Sequence, residues 1–228
     1  MSEQELKAYL QKDEPQGSAR WLRLLVNPFT RVAGWQGLGW GLLVVAATAA
    51  LAAAGNVAYD GVADLHIPFH PLPAWFLAFM AVADWLIVAL LFLVAGKLFS
   101  RSRQRVVDYF GATALGRFPY LLAGVLCSPP LLGRILAQVN TALVGNPEQM
   151  TQRLLQLPGF AWLVVGTLFL CVLGAWLGVL NFFALKECSG MKVGRALAVF
   201  FPTALVAEVL TKVLFGYVVV AAGLMSPV

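Results

Sequence analysis

Apolar runs of roughly helix-spanning length alternate with short polar segments from about residue 32 to the end of the chain. Residues 32–59 carry no charge and contain the stretch GWQGLGWGLLVVAATAALAAAGNV. About 20 apolar residues cross a hydrocarbon core of about 30 Å as an α-helix. Four more runs meet that length, so the pattern predicts spans at about 35–58, 74–96, 110–128, 159–185 and 197–223. The small residues Gly34, Gly37 and Gly41 in the first span suit close helix contact. The predicted fold is all-α, an integral membrane bundle of five transmembrane helices.

The segments outside these runs are different in kind. Residues 1–17 form a polar tail ending in Pro15–Gln16–Gly17. Residues 18–26 mix Arg20 and Arg23 with Trp21 and leucines, a pattern for a helix lying on the headgroups. Asn27–Pro28–Phe29 then turns the chain, because proline drives its neighbour out of the helical region. The connection 131–158 is broken at Asn146–Pro147 and Pro158 and is expected to hold short amphipathic helices around 131–143 and 147–156.

Composition agrees with a lipid environment. Hydrophobic residues make up 60% of the 228 and charged residues 12%, about half the charged share of an ordinary soluble domain. That share is too small to cover a water-facing surface. The first residues are polar and of mixed charge, and the first apolar run starts too late and runs too long for a cleaved secretory signal.

The net charge of +5 matters less than its placement. Thirteen of the sixteen Lys and Arg residues fall before the first span, between spans two and three (counting Arg117), and between spans four and five. The positive-inside rule then puts the N-terminus in the cytoplasm and the C-terminus outside. Cations gathered in short loops are not the basic face of a nucleic-acid binder. The expected partners are the bilayer itself, and a second copy or another membrane protein.

Besides Arg117 near the start of the third, the predicted spans contain three charges deeper in: Asp84, Glu208 and Lys212. A charge at the bilayer centre costs about 2.5–3.5 kcal/mol on insertion scales, so such groups face the bundle interior and find partners. Counting helical rise from the inner ends puts the three at similar depth. Glu208 and Lys212 are also i, i+4 in the favourable order. An Asp84–Lys212–Glu208 cluster between spans two and five is expected, either fixing helix register or serving transport or ligand binding. Asn181 in span four is expected to donate a hydrogen bond between helices. Arg101, Arg103, Arg105 and Arg117 most simply obey the positive-inside rule, with contacts to anionic headgroups as the alternative. Trp35, Trp40, Trp75, Trp85 and Trp162 suit an interfacial belt.

Asp60, Asp64, His66 and His70 lie close together in the first outer loop. Their donor types suit a divalent metal, but the spacing matches no zinc signature and Pro68 and Pro71 break any single helix face. A solvated loop without metal is the expectation. Cys127, Cys171 and Cys188 are an odd set without paired spacing, which points to free thiols. HExxH, GxSxG and the P-loop are all missing from the sequence. Neither His lies in a span to serve an intramembrane Ser–His pair. The sequence therefore predicts no enzyme and no cofactor.

Four stretches resemble the bacterial branch of the Yip (Ypt-interacting protein-like) family of five-span membrane proteins. They are VNPFTRVAGW (26–35), SRSRQRVVDYFGATALGRFPYLL (100–122), VLNFFALKECSG (179–190) and AEVLTKVL (207–214). The stretch 100–122 is the most specific. The resemblance implies a Yip-like transmembrane domain over 18–228, five spans, a cytoplasmic N-terminus and an interaction or membrane-organising role without a reaction. Eukaryotic relatives bind small prenylated GTPases, but their acidic tail motif is not visible here. The competing expectation is a small transporter or channel using Asp84, Glu208 and Lys212.

Overall fold

The computed structural model describes residues 24–62, 64–68, 71–100, 105–143, 152 and 154–224. It is mostly helical. A 3-10 turn, Pro28–Thr30, precedes α1 (Gly34–Gly55), then a two-stranded hairpin of β1 (Ala58–Tyr59) and β2 (Leu65–His66). After it come α2 (Ala74–Phe99), α3 (Val106–Leu115), α4 (Phe118–Leu126) and, beyond a π turn at Pro129–Gly133, α5 (Arg134–Leu143). The long helices α6 (Phe160–Ser189) and α7 (Val193–Ala221) complete the order.

Among the described residues, α1, α2, α6 and α7 are long and apolar enough to cross a membrane. Much of their surface faces outward: only 17% of the most apolar window of α7 is buried, and 22% of that of α6. Trp35, Trp40, Trp75 and Trp162 are all exposed. Trp85, placed above with the belt, is instead buried; its indole N–H donates to the Phe110 carbonyl at 3.3 Å.

The expected third span is two short helices. Gly116 and Arg117 form a turn between α3 and α4, and the regular structure starts at Val106 rather than 110. The expected helix over 131–143 appears as the π turn followed by α5, while most of 147–156 and the tail 1–17 lie outside the described residues.

Close packing follows the glycines. α1 packs most extensively on α3. An ideal Cβ on Gly41 would approach the Gly111 carbonyl to 3.0 Å, and one on Gly111 would stand 2.7 Å from the Leu38 nitrogen. The two backbones can meet only because neither glycine has a side chain. At one end of the bundle the Ser100 hydroxyl donates to the Ser189 carbonyl, and Asp108 accepts the Gly34 N–H at 2.8 Å. The C-terminal ends of α2 and α6 and the N-terminal ends of α1 and α3 therefore share that end. Phe29 is buried there, and the Asn27 amide donates to Glu187. One buried cluster, with Phe92, Tyr109, Leu185 and Phe200, fills this half; another, with Tyr59, Phe76, Tyr120 and Phe215, fills the other.

Candidate functional site: a loop held inside the bundle

The segment after α1 turns inward. Asn56 takes a left-handed conformation at the helix end, and its side-chain oxygen accepts the Leu72 N–H, which closes the neck of the loop. Val57, Ala58, Tyr59, Asp60, Gly61 and Val62 are all buried. Hairpin pairing sets Ala58 against His66 and Tyr59 against Leu65. Irregular backbone at membrane depth needs partners inside the protein, and side chains from three helices supply them. The Tyr120 hydroxyl of α4 lies 3.0 Å from the Gly61 carbonyl and 2.7 Å from that of Asp64. The Asn181 amide of α6 donates to the Val62 carbonyl at 2.9 Å. The Thr211 hydroxyl of α7 lies 2.8 Å from the Asp60 carbonyl, and Glu208 accepts the Val62 N–H at 3.0 Å. A Cβ on Gly61 at the tip would run into the Glu208 carboxylate, which would have to shift from its hold on the Val62 N–H.

This loop brings carboxylates to Lys212. Its ammonium lies 2.5 Å from Asp64, 3.0 Å from Glu208 and 3.5 Å from Asp60. The expected Glu208–Lys212 contact is present, while Asp84 is not one of the partners. Asp84 pairs with Arg117 at 2.5 Å, with side-chain exposures of 0% and 3%. The correction has a geometric cause. Because α3 starts at Val106, Arg117 lies eleven residues along the segment, roughly 16 Å from its start. It is therefore inside the bundle, with a side chain 3% exposed that pairs with Asp84 instead of standing at the surface. Its guanidinium also lies over the Tyr120 ring, 5.6 Å from the centroid. The second oxygen of Asp84 and the Nε of Arg117 are buried without a hydrogen-bond partner. Arg105 is exposed and paired with Asp108; Arg101 and Arg103 lie outside the described residues.

The loop expected to be solvated is thus largely internal. Nothing in its composition gave Tyr120 and Thr211 away as its anchors, since a lone Tyr or Thr in an apolar run reads as ordinary helix surface. Asn181 was visible as a donor, but its acceptor is a loop carbonyl rather than a neighbouring helix.

Asp60, Asp64 and His66 have metal-type donor atoms within 4.8 Å of one another, and His70 lies outside the described residues. The Lys212 ammonium already stands as the cation among the carboxylates. Burial pushes the Asp60 carboxyl up, but the hydrogen bond and charge of His66 together with Lys212 outweigh it and hold it below its ordinary value. His66 is raised above its ordinary value chiefly by its hydrogen bond to Asp60, 3.2 Å away, against the opposing effect of burial. A raised imidazole stabilises the fold when protonated. That contribution is complete below the unfolded value of about 6.5 and is lost as pH rises through the folded value. An NMR titration of the imidazole should give a midpoint above about 6.5, falling back towards it in Asp60→Asn. An unchanged midpoint in the variant would show that Asp60 is not the cause.

No protein-family model, curated protein or solved structure matched the chain in comparison.

Proposed function

We propose that the chain is a non-enzymatic, five-pass protein of the bacterial inner membrane that acts through contacts with other membrane proteins, with copies of itself or with the bilayer, as its resemblance to the Yip family implies. Its N-terminus lies in the cytoplasm and its C-terminus outside. The fifth pass is the broken α3–α4 segment. Its 21 residues reach roughly 31 Å, about the thickness of the hydrocarbon core. A return crossing between α2 and α6 fits the C-terminal ends of those helices meeting at one end of the bundle.

The observation that carries a structural rather than a transport reading is the burial of Asp84 and Arg117. A transported ion or proton needs water leading to the ionisable group it uses, and this pair is sealed. The polar side chains around the loop are likewise engaged in holding backbone. A transport reading retains one supporting observation: Lys212 and Asp64 are 43% and 42% exposed.

Two measurements test the proposal. In intact cells, an impermeant thiol reagent should label Ala222→Cys and spare Gly194→Cys; the reverse pattern overturns the orientation. Cross-linking before extraction in mild detergent should recover a self-assembly or a reproducible membrane partner. A solitary monomer that supports Lys212-dependent flux in proteoliposomes would replace the interaction reading with transport.

A further inference from the structure

A cavity of about 560 Å³ opens beside the loop, between α4 and α6. One wall is a stripe of α6 running from Thr167 through Gly174 to Gly178; the other is Tyr120 and Ala123 of α4; Asp64 supplies its charge. The stripe runs eleven residue steps, or about 16 Å of helix, so the mean cross-section is roughly 35 Å². That is the girth of one or two extended hydrocarbon chains.

Asp64 is the charged residue of the lining, and the group of side chains it belongs to is not neutral. Asp60, Asp64 and Glu208 are grouped with one lysine and one imidazole. Even with His66 protonated, the group holds one negative charge in excess. The Asp84–Arg117 pair nearby cancels internally. Depth suits a headgroup. Lys212 is nine residues before the end of α7 at Ala221, so about 14 Å from it. A 29-residue helix is about 43 Å long and overhangs a 30 Å core by roughly 7 Å at each end when centred. The Asp64–Lys212 pair then lies about 7 Å below the hydrocarbon boundary, a depth that local thinning of the bilayer can bridge.

We propose that this groove binds one membrane phospholipid with a primary-ammonium headgroup, such as phosphatidylethanolamine, its ammonium on the Asp64 carboxylate and an acyl chain along the Thr167–Gly178 stripe. The inference rests on the membrane placement proposed above. A bilayer offers such amphiphiles, and a primary ammonium donates hydrogen bonds to a carboxylate where a quaternary one cannot, while the local negative excess disfavours an anionic headgroup.

The test uses the full chain, purified in mild detergent and titrated with phosphatidylethanolamine, phosphatidylcholine or phosphatidylglycerol of identical acyl chains, with bound lipids counted by native mass spectrometry. The first phosphatidylethanolamine should bind about tenfold more tightly than the first phosphatidylglycerol, and Asp64→Asn should bring the two to parity. Gly178→Phe should weaken the first site for all three lipids by about tenfold at an unchanged melting temperature, because a Cβ at Gly178 meets nothing within 4 Å. Headgroup-indifferent binding by the parent protein overturns the proposal, as does a Gly178→Phe variant that binds like the parent. A Gly178→Phe variant that changes the oligomeric mass rather than the lipid count also overturns it, marking the groove as a protein contact. Release of the chain from carbonate-washed membranes would instead overturn the membrane placement itself.

Discussion

Replacing Asp84 with Ala lowers the stability of the bundle by about 3–5 kcal/mol, the cost of leaving a buried charge without its partner. Arg117 stays buried after the change, and the side chain has nowhere to release its charge. Its Nε already lacks a hydrogen-bond partner, and its Nη1 would lose the Asp84 carboxylate. The contrast with Lys212→Ala makes the prediction specific. Lys212 is 43% exposed, and exposed ion pairs are worth about 0–1 kcal/mol each. Replacing both members of the buried pair, as Asp84→Leu with Arg117→Met, should recover most of the loss, since well-packed apolar residues often match or exceed a buried ion pair. Unfolding in detergent by heat or by sodium dodecyl sulfate measures all four proteins. A double-mutant cycle should find strong coupling between Asp84 and Arg117 and little between Asp84 and Lys212. Coupling of the opposite pattern would restore the pairing expected from sequence.

Gly111→Ala has the second largest effect, about 1–3 kcal/mol, the usual range for overpacking. The added methyl group points at the backbone of α1, with the Leu38 nitrogen at 2.7 Å and the Gly37 carbonyl carbon at 3.0 Å. Backbone does not swing aside as a lysine tip does, so α1 and α3 must separate. Gly39→Ala on α1 is the control, because its Cβ meets nothing within 4 Å. That change should leave the melting temperature equal or higher, since Gly is about 1 kcal/mol poorer than Ala within a helix. Equal losses from both substitutions would mean that helix propensity, and not the interhelical contact, governs this region.

The long helices were legible because length and hydropathy alone define them. α2 begins at Ala74 as expected, and α6 and α7 run a few residues beyond their predicted cytoplasmic ends, into Lys186 and Val193. Charged residues stop a hydropathy count before they stop a helix. Legibility failed where partners come from distant sequence. Depth counting brought Asp84 and Lys212 level, but it carries no information about azimuth. It also missed Arg117 as a partner by starting the third segment at 110, four residues late. The loop failed for a related reason. Asp60, Asp64 and His66 read as solvated because carboxylates and imidazoles usually are. Only the positions of Tyr120, Asn181, Glu208 and Thr211 on three separate helices show that residues 57–62 are held inside, whereas Asp64 and His66 do keep part of their surface open. Local pattern fixes elements, whereas the site arises from side chains as far as 152 residues apart in sequence.

The turn at Gly116–Arg117 bears on how the protein is made. Neither α3, with ten residues, nor α4, with nine, crosses a hydrocarbon core alone, and a guanidinium stands at their junction. Such a segment partitions poorly from the translocon by itself. In a five-pass arrangement its counter-ion has already been synthesised, because Asp84 precedes Arg117 by 33 residues. In the arrangement proposed above, the α2 helix acts as a template on the ribosome side of biogenesis, and the α3–α4 segment is stitched in by its predecessor rather than by its own greasiness.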